Sequence, residues 1–163
     1  MSFTRNLLFT LALSLSPAAT LADSHSDMTA TLTASTTVWV NQSGSVFTLM
    51  LTPSSEPSVY VVGGNYVNKA AGTGCQNTPY PVTGYFNNVT GQITFDVSWK
   101  NAVADCNSMT AWAGYVLPKA PELGIETQWT LVYQGAGGTM FQGGVDTFAM
   151  QDAPMMESLV ADQ

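Results

Sequence analysis

Histidine, cationic residues and cysteine are all scarce in this chain. Its 163 residues include one histidine, two cysteines and four lysines or arginines, against eleven aspartates and glutamates. One imidazole and two thiols are too few for a zinc site, and a lone histidine argues against Ser–His–Asp or Cys–His catalysis. That histidine, His25, lies in a stretch rich in Ser and Asp, which we interpret as a solvated tail. The net charge of −7 repels phosphate backbones, so nucleic acid is not an expected partner.

Helical periodicity is also missing before the C-terminus, and β-branched and aromatic residues alternate instead. Turn residues such as Gly, Pro, Asn and Ser separate these segments, which indicates an all-β fold. We predict eight strands at 35–42, 45–51, 58–66, 80–87, 91–100, 109–117, 125–134 and 139–149. Eight consecutive antiparallel strands with short turns can close into an up-and-down β-barrel, which removes exposed sheet edges.

The N-terminus has the pattern of a secretory signal. A cation, Arg5, precedes a short apolar run over 7–15, and small residues follow. We predict a signal peptide with cleavage after Ala22, because the apolar run is too short to span a membrane. The chain then divides into a signal peptide 1–22, a flexible segment 23–34, a barrel 35–149 and a C-terminal tail 150–163.

Export to the periplasm or the extracellular space has a consequence for the cysteines. Both of them, Cys75 and Cys106, lie in the mature chain. In an oxidising compartment the default expectation for such a pair is one disulfide bond.

Alternation along the strands predicts which side chains share a face. The apolar row of the fifth predicted strand comprises Ile93, Phe95, Val97 and Trp99. Asp96 and Lys100 lie on its other face, which favours a soluble barrel over an outer-membrane barrel with outward apolar side chains. Trp112 and Trp129 fall on faces of later strands where they can converge with Trp99.

The predicted interior mixes indoles with small polar groups. The polar members are Asn41, Ser45, Tyr66, Asn68, Ser108, Thr110 and Asp146. A buried polar group left without a partner costs about 1–3 kcal/mol, so these residues either bond one another and water or await a ligand. As a set, apolar walls with a few placed donors and acceptors are typical of a recognition site.

Six short motifs carry a specific resemblance. They are WVNQSGS (39–45), YVNKAAGTGC (66–75), VSWKN (97–101), SMTAWAGY (108–115), TQW (127–129) and GVDTF (144–148). In order and spacing they are similar to the avidin family of biotin-binding barrels, from about Val38 to Phe148. The sequence around Cys75 and Cys106 resembles the dimeric, rhizavidin-like branch of that family.

The resemblance implies a role for each polar residue. Asn41, Ser45 and Tyr66 would donate hydrogen bonds to the ureido oxygen of biotin, much as an oxyanion hole does. Asp146 and the Asn68 side chain would accept from the two ureido N–H groups, and the Asp146 bond would be charge-assisted.

The rest of the implied site follows the remainder of the ligand. Thr110 would lie near the thioether sulfur. Ser108 and the backbone amides of Ala70, Ala71 and Gly72 would take the valerate carboxylate. Three indoles would wall the rings and the alkyl chain: Trp99, Trp112 and Trp129. Biotin would be a ligand and not a cofactor, because no bond is made or broken.

The sequence departs from the tetrameric members of the family. They close each pocket with a neighbour's tryptophan, whereas this chain has glycine at the matching place, near Gly137 or Gly138. A homodimer is therefore expected. We expect the tail 150–163 to be disordered, and the alternative is that it docks on another subunit and drives further association. An outward apolar stripe is consistent with a subunit contact: Val38, Val40, Val46 and Met50.

Two other functions remain open from the residues alone. The leading alternative is a secreted barrel of the same shape that binds another small heterocycle or a peptide. An enzyme is the third reading, but no acid–base pair in matched contexts can be assembled.

Overall fold

The computed structural model describes residues 18–118 and 123–151. It contains one helix, α1 (Ala18–Ala34), followed by eight strands. These are β1 (Thr37–Asn41), β2 (Val46–Pro53), β3 (Val59–Val67), β4 (Pro79–Asn87), β5 (Gln92–Lys100), β6 (Asp105–Leu117), β7 (Gly124–Gly135) and β8 (Gly138–Met150). Most of the predicted signal peptide, and the tail from residue 152 onward, lie outside the described residues.

The strands form a closed barrel in chain order, with β8 pairing back onto β1. Every neighbouring pair is antiparallel, which confirms the predicted up-and-down barrel. Because successive strands alternate in direction, the loops after β1, β3, β5 and β7 all lie at one end. That end holds the cavity described below, and α1 covers the other.

The sixth strand, β6, begins at Asp105, well before the predicted start at 109. Cys106 and Ser108 lie within β6, which starts at Asp105, and not in a loop. The register explains this extension, because Lys100 pairs with Asp105 beyond an irregularity in β5. The turn between them is tight, since the Asn101 side chain accepts the backbone N–H groups of Val103 and Ala104 at 2.8 and 2.9 Å.

The interior is built from stacked aromatic rings. Phe47 stacks on Phe95 with ring centroids 4.5 Å apart, and Phe95 stacks on Trp112 at 5.0 Å. Phe148 meets both phenylalanines edge-on. The apolar row predicted for β5 is buried throughout, so alternation identified the inner face correctly.

The predicted outward stripe divides into two parts. Val38 and Val46 are buried, together with Val67, in an apolar cluster separate from the main core. Met50, in contrast, is 48% exposed.

The segment 23–34, expected to be flexible, is helical in the structure. Met28 and Leu32 are one turn apart, and both are buried in the main core. His25, expected to be a solvated tail residue, is partly buried and donates its Nδ1–H to the Val89 carbonyl at 2.7 Å. The helix therefore seals the end of the barrel opposite the cavity.

The composition of α1 explains why this helix was not predicted from the sequence. Its threonines are poor helix formers, and three of them, Thr29, Thr31 and Thr33, donate back to carbonyls four residues earlier. The stability of the helix depends on its packing against the barrel and not on intrinsic helix propensity. No helix within the described ranges is both long and apolar enough to cross a membrane.

Leu32→Ala is expected to lower the free energy of unfolding by about 2 kcal/mol, because it deletes buried methyl groups. The loss is at the low end for a buried leucine, because side chains at an end of the barrel can close in on the space. Chemical denaturation measures the effect, and Thr31→Ala on the exposed face of α1 is the control. Equal stability of the two variants would show that α1 does not seal the barrel.

Candidate functional site

The open end of the barrel holds a cavity of about 210 Å³. Eleven of the predicted site residues line it: Asn41, Ser45, Tyr66, Asn68, Ala70, Trp99, Ser108, Thr110, Trp112, Trp129 and Asp146. They come from six of the eight strands and from the loops at this end, so closure of the barrel is what brings them together.

Asn41 presents its amino group to the cavity because its oxygen is already engaged. Oδ1 accepts the backbone N–H groups of Ser43 and Ser45 at 3.0 and 2.9 Å in the turn after β1. Nδ2 donates to Tyr66 Oη at 3.2 Å, and its second hydrogen remains for a ligand. The turn thus fixes Asn41 as a donor.

Ser45 and Tyr66 are also left as donors. Ser45 Oγ accepts the backbone N–H of Lys69 at 2.9 Å, so its hydroxyl hydrogen can point elsewhere. Burial raises the pKa of Tyr66, the Asp146 charge raises it further, and a hydrogen bond with Ser45 opposes both. The phenol therefore keeps its proton, and the three groups together form a cradle for one acceptor oxygen.

Asp146 supplies the opposite polarity in the wall of the cavity. The residue is 7% exposed, and its carboxylate is held at both oxygens: Oδ2 accepts the Trp112 indole N–H at 2.8 Å, and Oδ1 accepts Gln42 Nε2 at 2.9 Å. A carboxylate can accept about four hydrogen bonds, so lone pairs remain for a ligand N–H.

Asn68 provides a second acceptor and organises the loop after β3. Its Nδ2 donates to Thr73 Oγ1 at 2.8 Å and to the Gly74 carbonyl at 3.0 Å. Its Oδ1 accepts the Ala70 N–H at 3.0 Å and keeps one lone pair for a further donor. Thr73 in turn donates to the Ala70 carbonyl at 2.8 Å, so the loop is internally bonded.

The indole walls are fixed by hydrogen bonds and by glycine. Trp99 Nε1 donates to Thr110 Oγ1 at 2.7 Å, which leaves the Thr110 hydroxyl hydrogen available. Trp129 lies directly on Gly144, where an added Cβ would be 2.6 Å from the ring. A side chain at Gly144 would therefore displace this wall.

The outer rim of the cavity contains a disulfide bond between Cys75 and Cys106. Their Cα atoms are 6.2 Å apart, and the bond confirms the predicted pairing. The structure does not bring Ala71 and Gly72 to the cavity wall, and the Ala70 N–H is engaged with Asn68. Ser108 is the predicted hydroxyl donor that does line this part of the wall.

Sequence reasoning missed several wall residues: Ser43, Thr73, Gly74, Leu131 and Gln142. Alternation contains a signal for two of them. Gln142 shares the face of Asp146 on β8, and Leu131 shares the face of Trp129 on β7. The loop residues Thr73 and Gly74 follow no periodicity and could not be found in this way.

The arrangement is complementary to one kind of planar group. Three donors and two acceptors, Asp146 and Asn68, line the same cavity among aromatic walls. A group with one carbonyl oxygen between two N–H groups matches this pattern, as a cyclic urea does.

The chain is similar in sequence and fold to known proteins. A model of the avidin family matches residues 29–149. The chain is 42% identical to hoefavidin of Hoeflea phototrophica over 125 residues, 76% of each protein. It is 42% identical to afifavidin of Afifella pfennigii over 121 residues, 74% of this chain and 71% of that protein. The crystal structure of a rhizavidin–biotin complex is similar with a TM-score of 0.67 and 38% identity, covering 75% of this chain and 97% of that one.

Proposed function

Because this chain belongs to the avidin family, we propose that it is a non-catalytic protein that binds biotin with high affinity in the open end of its barrel. One observation supports the proposal: the donors Asn41, Ser45 and Tyr66 and the acceptors Asp146 and Asn68 all line one cavity. Rhizavidin, which is similar in fold, has been crystallised with biotin.

The ureido group of biotin accounts for the polar residues of the cavity. Its oxygen accepts from the Asn41, Ser45 and Tyr66 donors, which favours negative charge on that oxygen. Its two N–H groups donate to Asp146 and Asn68, and the bond to the carboxylate is the stronger one.

Affinity then follows from a site that is already formed. Asn41, Asn68 and Asp146 are each held by protein partners, so little side-chain entropy is lost when the ligand enters. Biotin is held as a ligand and not as a cofactor, since no group of the cavity is required to break one of its bonds.

Tryptophan fluorescence titrated with biotin tests this function, because three of the wall residues are indoles. We expect a saturable change at one biotin per chain. A barrel that recognises a peptide or an unrelated heterocycle would leave the signal unchanged at micromolar biotin. Calorimetry on the same sample gives the stoichiometry independently.

We also propose that the protein is a homodimer that associates through the outer face of β6, β7 and β8. Register places Met109, Val132 and Phe141 in one row across these strands, and Ala113, Gln128 and Val145 in another. Met109 on β6 and Phe141 and Val145 on β8 are 53%, 69% and 60% exposed, which is unusual for large apolar side chains that share one face of a sheet.

Val145→Glu is expected to shift the protein from dimer to monomer, because it places a charge in the centre of this face. Size-exclusion chromatography with light scattering measures the mass. Val103→Glu, in the exposed turn between β5 and β6, carries the same charge change outside the face. A dimer that survives Val145→Glu would mean that the subunits meet elsewhere.

We further propose that the chain is exported and cleaved after Ala22, and that the tail 150–163 adds higher assembly. The disulfide at the cavity rim supports an oxidising compartment. The intact mass of the exported protein tests the cleavage site. If deletion of the tail leaves the mass per particle unchanged, the tail does not add higher assembly.

A further inference from the structure

The seam that closes the barrel is its shortest ladder. Three residue pairs join β1 to β8, whereas twelve join β7 to β8. The seam ladder ends at the pair of Asn41 and Phe148, next to the cavity. Asn41 is therefore the last paired residue of β1 at this end, and Asp146 lies on β8 two residues beyond the last pair.

Gln42 spans this gap with its side chain. Its Nε2 donates to Asp146 Oδ1 and to the Val145 carbonyl, both at 2.9 Å. Its Oε1 accepts the backbone N–H of Thr147 at 3.0 Å. Gln42 is exposed and does not line the cavity, yet every polar atom of its amide is bonded to β8.

We propose that Gln42 is a positioning residue that orients the Asp146 carboxylate for the ligand and joins the barrel seam to the binding site. The inference rests on the proposed function. Gln42 holds Oδ1 while Trp112 holds Oδ2, so the carboxylate cannot rotate, and its free lone pairs are aimed by two neutral donors. Neither donor neutralises the charge that strengthens the bond to the ligand.

The same contacts make ligand binding and seam closure mutually dependent. A ligand bonded to Asn41 on β1 and to Asp146 on β8 bridges the two strands at the end of their short ladder. Local opening of a weak ladder is easier than global unfolding, so the seam is where the site would open to release its ligand. A ligand that binds only the closed state stabilises that state in proportion to its affinity.

Two substitutions of Gln42 separate positioning from mere packing. Gln42→Ala removes the donor, and we expect biotin to dissociate about tenfold faster at neutral pH. Gln42→Glu places a second carboxylate against Asp146. We expect the biotin dissociation rate of this variant to increase about a hundredfold, because like charges this close repel. Gln92→Glu is the matched control, since Gln92 is exposed on β5 and outside the cavity wall.

The pH profile provides a signature that packing alone would not give. In Gln42→Glu the two carboxylates can share one proton as the pH falls towards 5, and the shared proton restores a donor to Asp146. The dissociation rate of this variant should therefore approach the parent rate at low pH. The parent protein and Gln92→Glu should not show this recovery.

Hydrogen exchange gives a readout that needs no biotin. In Gln42→Ala, the Thr147 amide loses its acceptor, and the Gln151 amide, which donates across the seam to the Val38 carbonyl at 2.8 Å, should also exchange faster. Faster exchange in Gln42→Ala with unchanged biotin dissociation would overturn the positioning role. A biotin dissociation rate of Gln42→Glu that does not change with pH would also overturn it. If the parent protein fails to bind biotin, the proposed function fails, and exchange alone decides whether Gln42 holds the seam.

Discussion

Asp146→Ala is expected to weaken biotin binding by about a hundredfold to ten-thousandfold. The change removes a charged acceptor for one ureido N–H. It also leaves the Trp112 indole N–H and the Gln42 amide without the partner they share in the cavity wall. Both losses weaken binding, because a buried donor without an acceptor leaves the cavity of the variant a poorer match for the ligand.

Calorimetry or dissociation kinetics of the variant measures this loss. Asp96→Ala is the control, since Asp96 lies on the outer face of β5, where its carboxylate accepts from Thr83 at 3.1 Å. Asp146→Asn adds a second comparison, because it keeps the shape and removes the charge. An affinity within threefold of the parent protein for Asp146→Ala would mean that the carboxylate does not contact the ligand.

Removal of the disulfide in a Cys75→Ala, Cys106→Ala double variant is expected to lower the free energy of unfolding by about 3–4 kcal/mol, by the loop-entropy relation. The bond joins positions 31 apart in the chain. Biotin should also dissociate faster, because both cysteines line the cavity.

The local backbone explains why release should respond. Cys75, Asn77 and Asn107 have φ values of 52°, 60° and 46°, a left-handed conformation that side chains disfavour. Once the bond is gone, these residues can relax. Gly74, whose carbonyl holds the Asn68 amide, would move with them, and Asn68 would lose part of its support as an acceptor.

Two measurements on the double variant are needed, one of unfolding and one of biotin release. A lower stability together with faster release supports a role of the disulfide in shaping the site. Lower stability with an unchanged release rate would mean that the bond only holds the fold. Pocket rigidity would then have to come from the Asn68 network alone.

Much of the barrel could be predicted because strand periodicity is a local property. Alternation in β5 and β6 identified the inner faces, including those of Trp99 and Trp112, without any knowledge of tertiary contacts. The helix α1 could not be predicted in this way. Its stability comes from the burial of Met28 and Leu32 against distant strands, and its threonine-rich sequence gives no local signal.

The site shows the same division. Eleven of the residues that line the cavity lie within conspicuous motifs, and the resemblance assigned them before any distance was known. Gln42 lies in one of those motifs but shares no inner face with Asp146, and their hydrogen bond joins positions 104 apart. A contact across the barrel seam becomes visible only when the first and last strands are placed side by side.

Infrared difference spectroscopy of biotin labelled with ¹³C at the ureido carbonyl tests the central claim most directly. If Asn41, Ser45 and Tyr66 all donate to that oxygen, the carbonyl stretch should move to lower frequency than in water, and Tyr66→Phe should reverse part of the shift. A bound carbonyl that absorbs at or above its aqueous frequency would contradict a cavity built around a polarised cyclic urea.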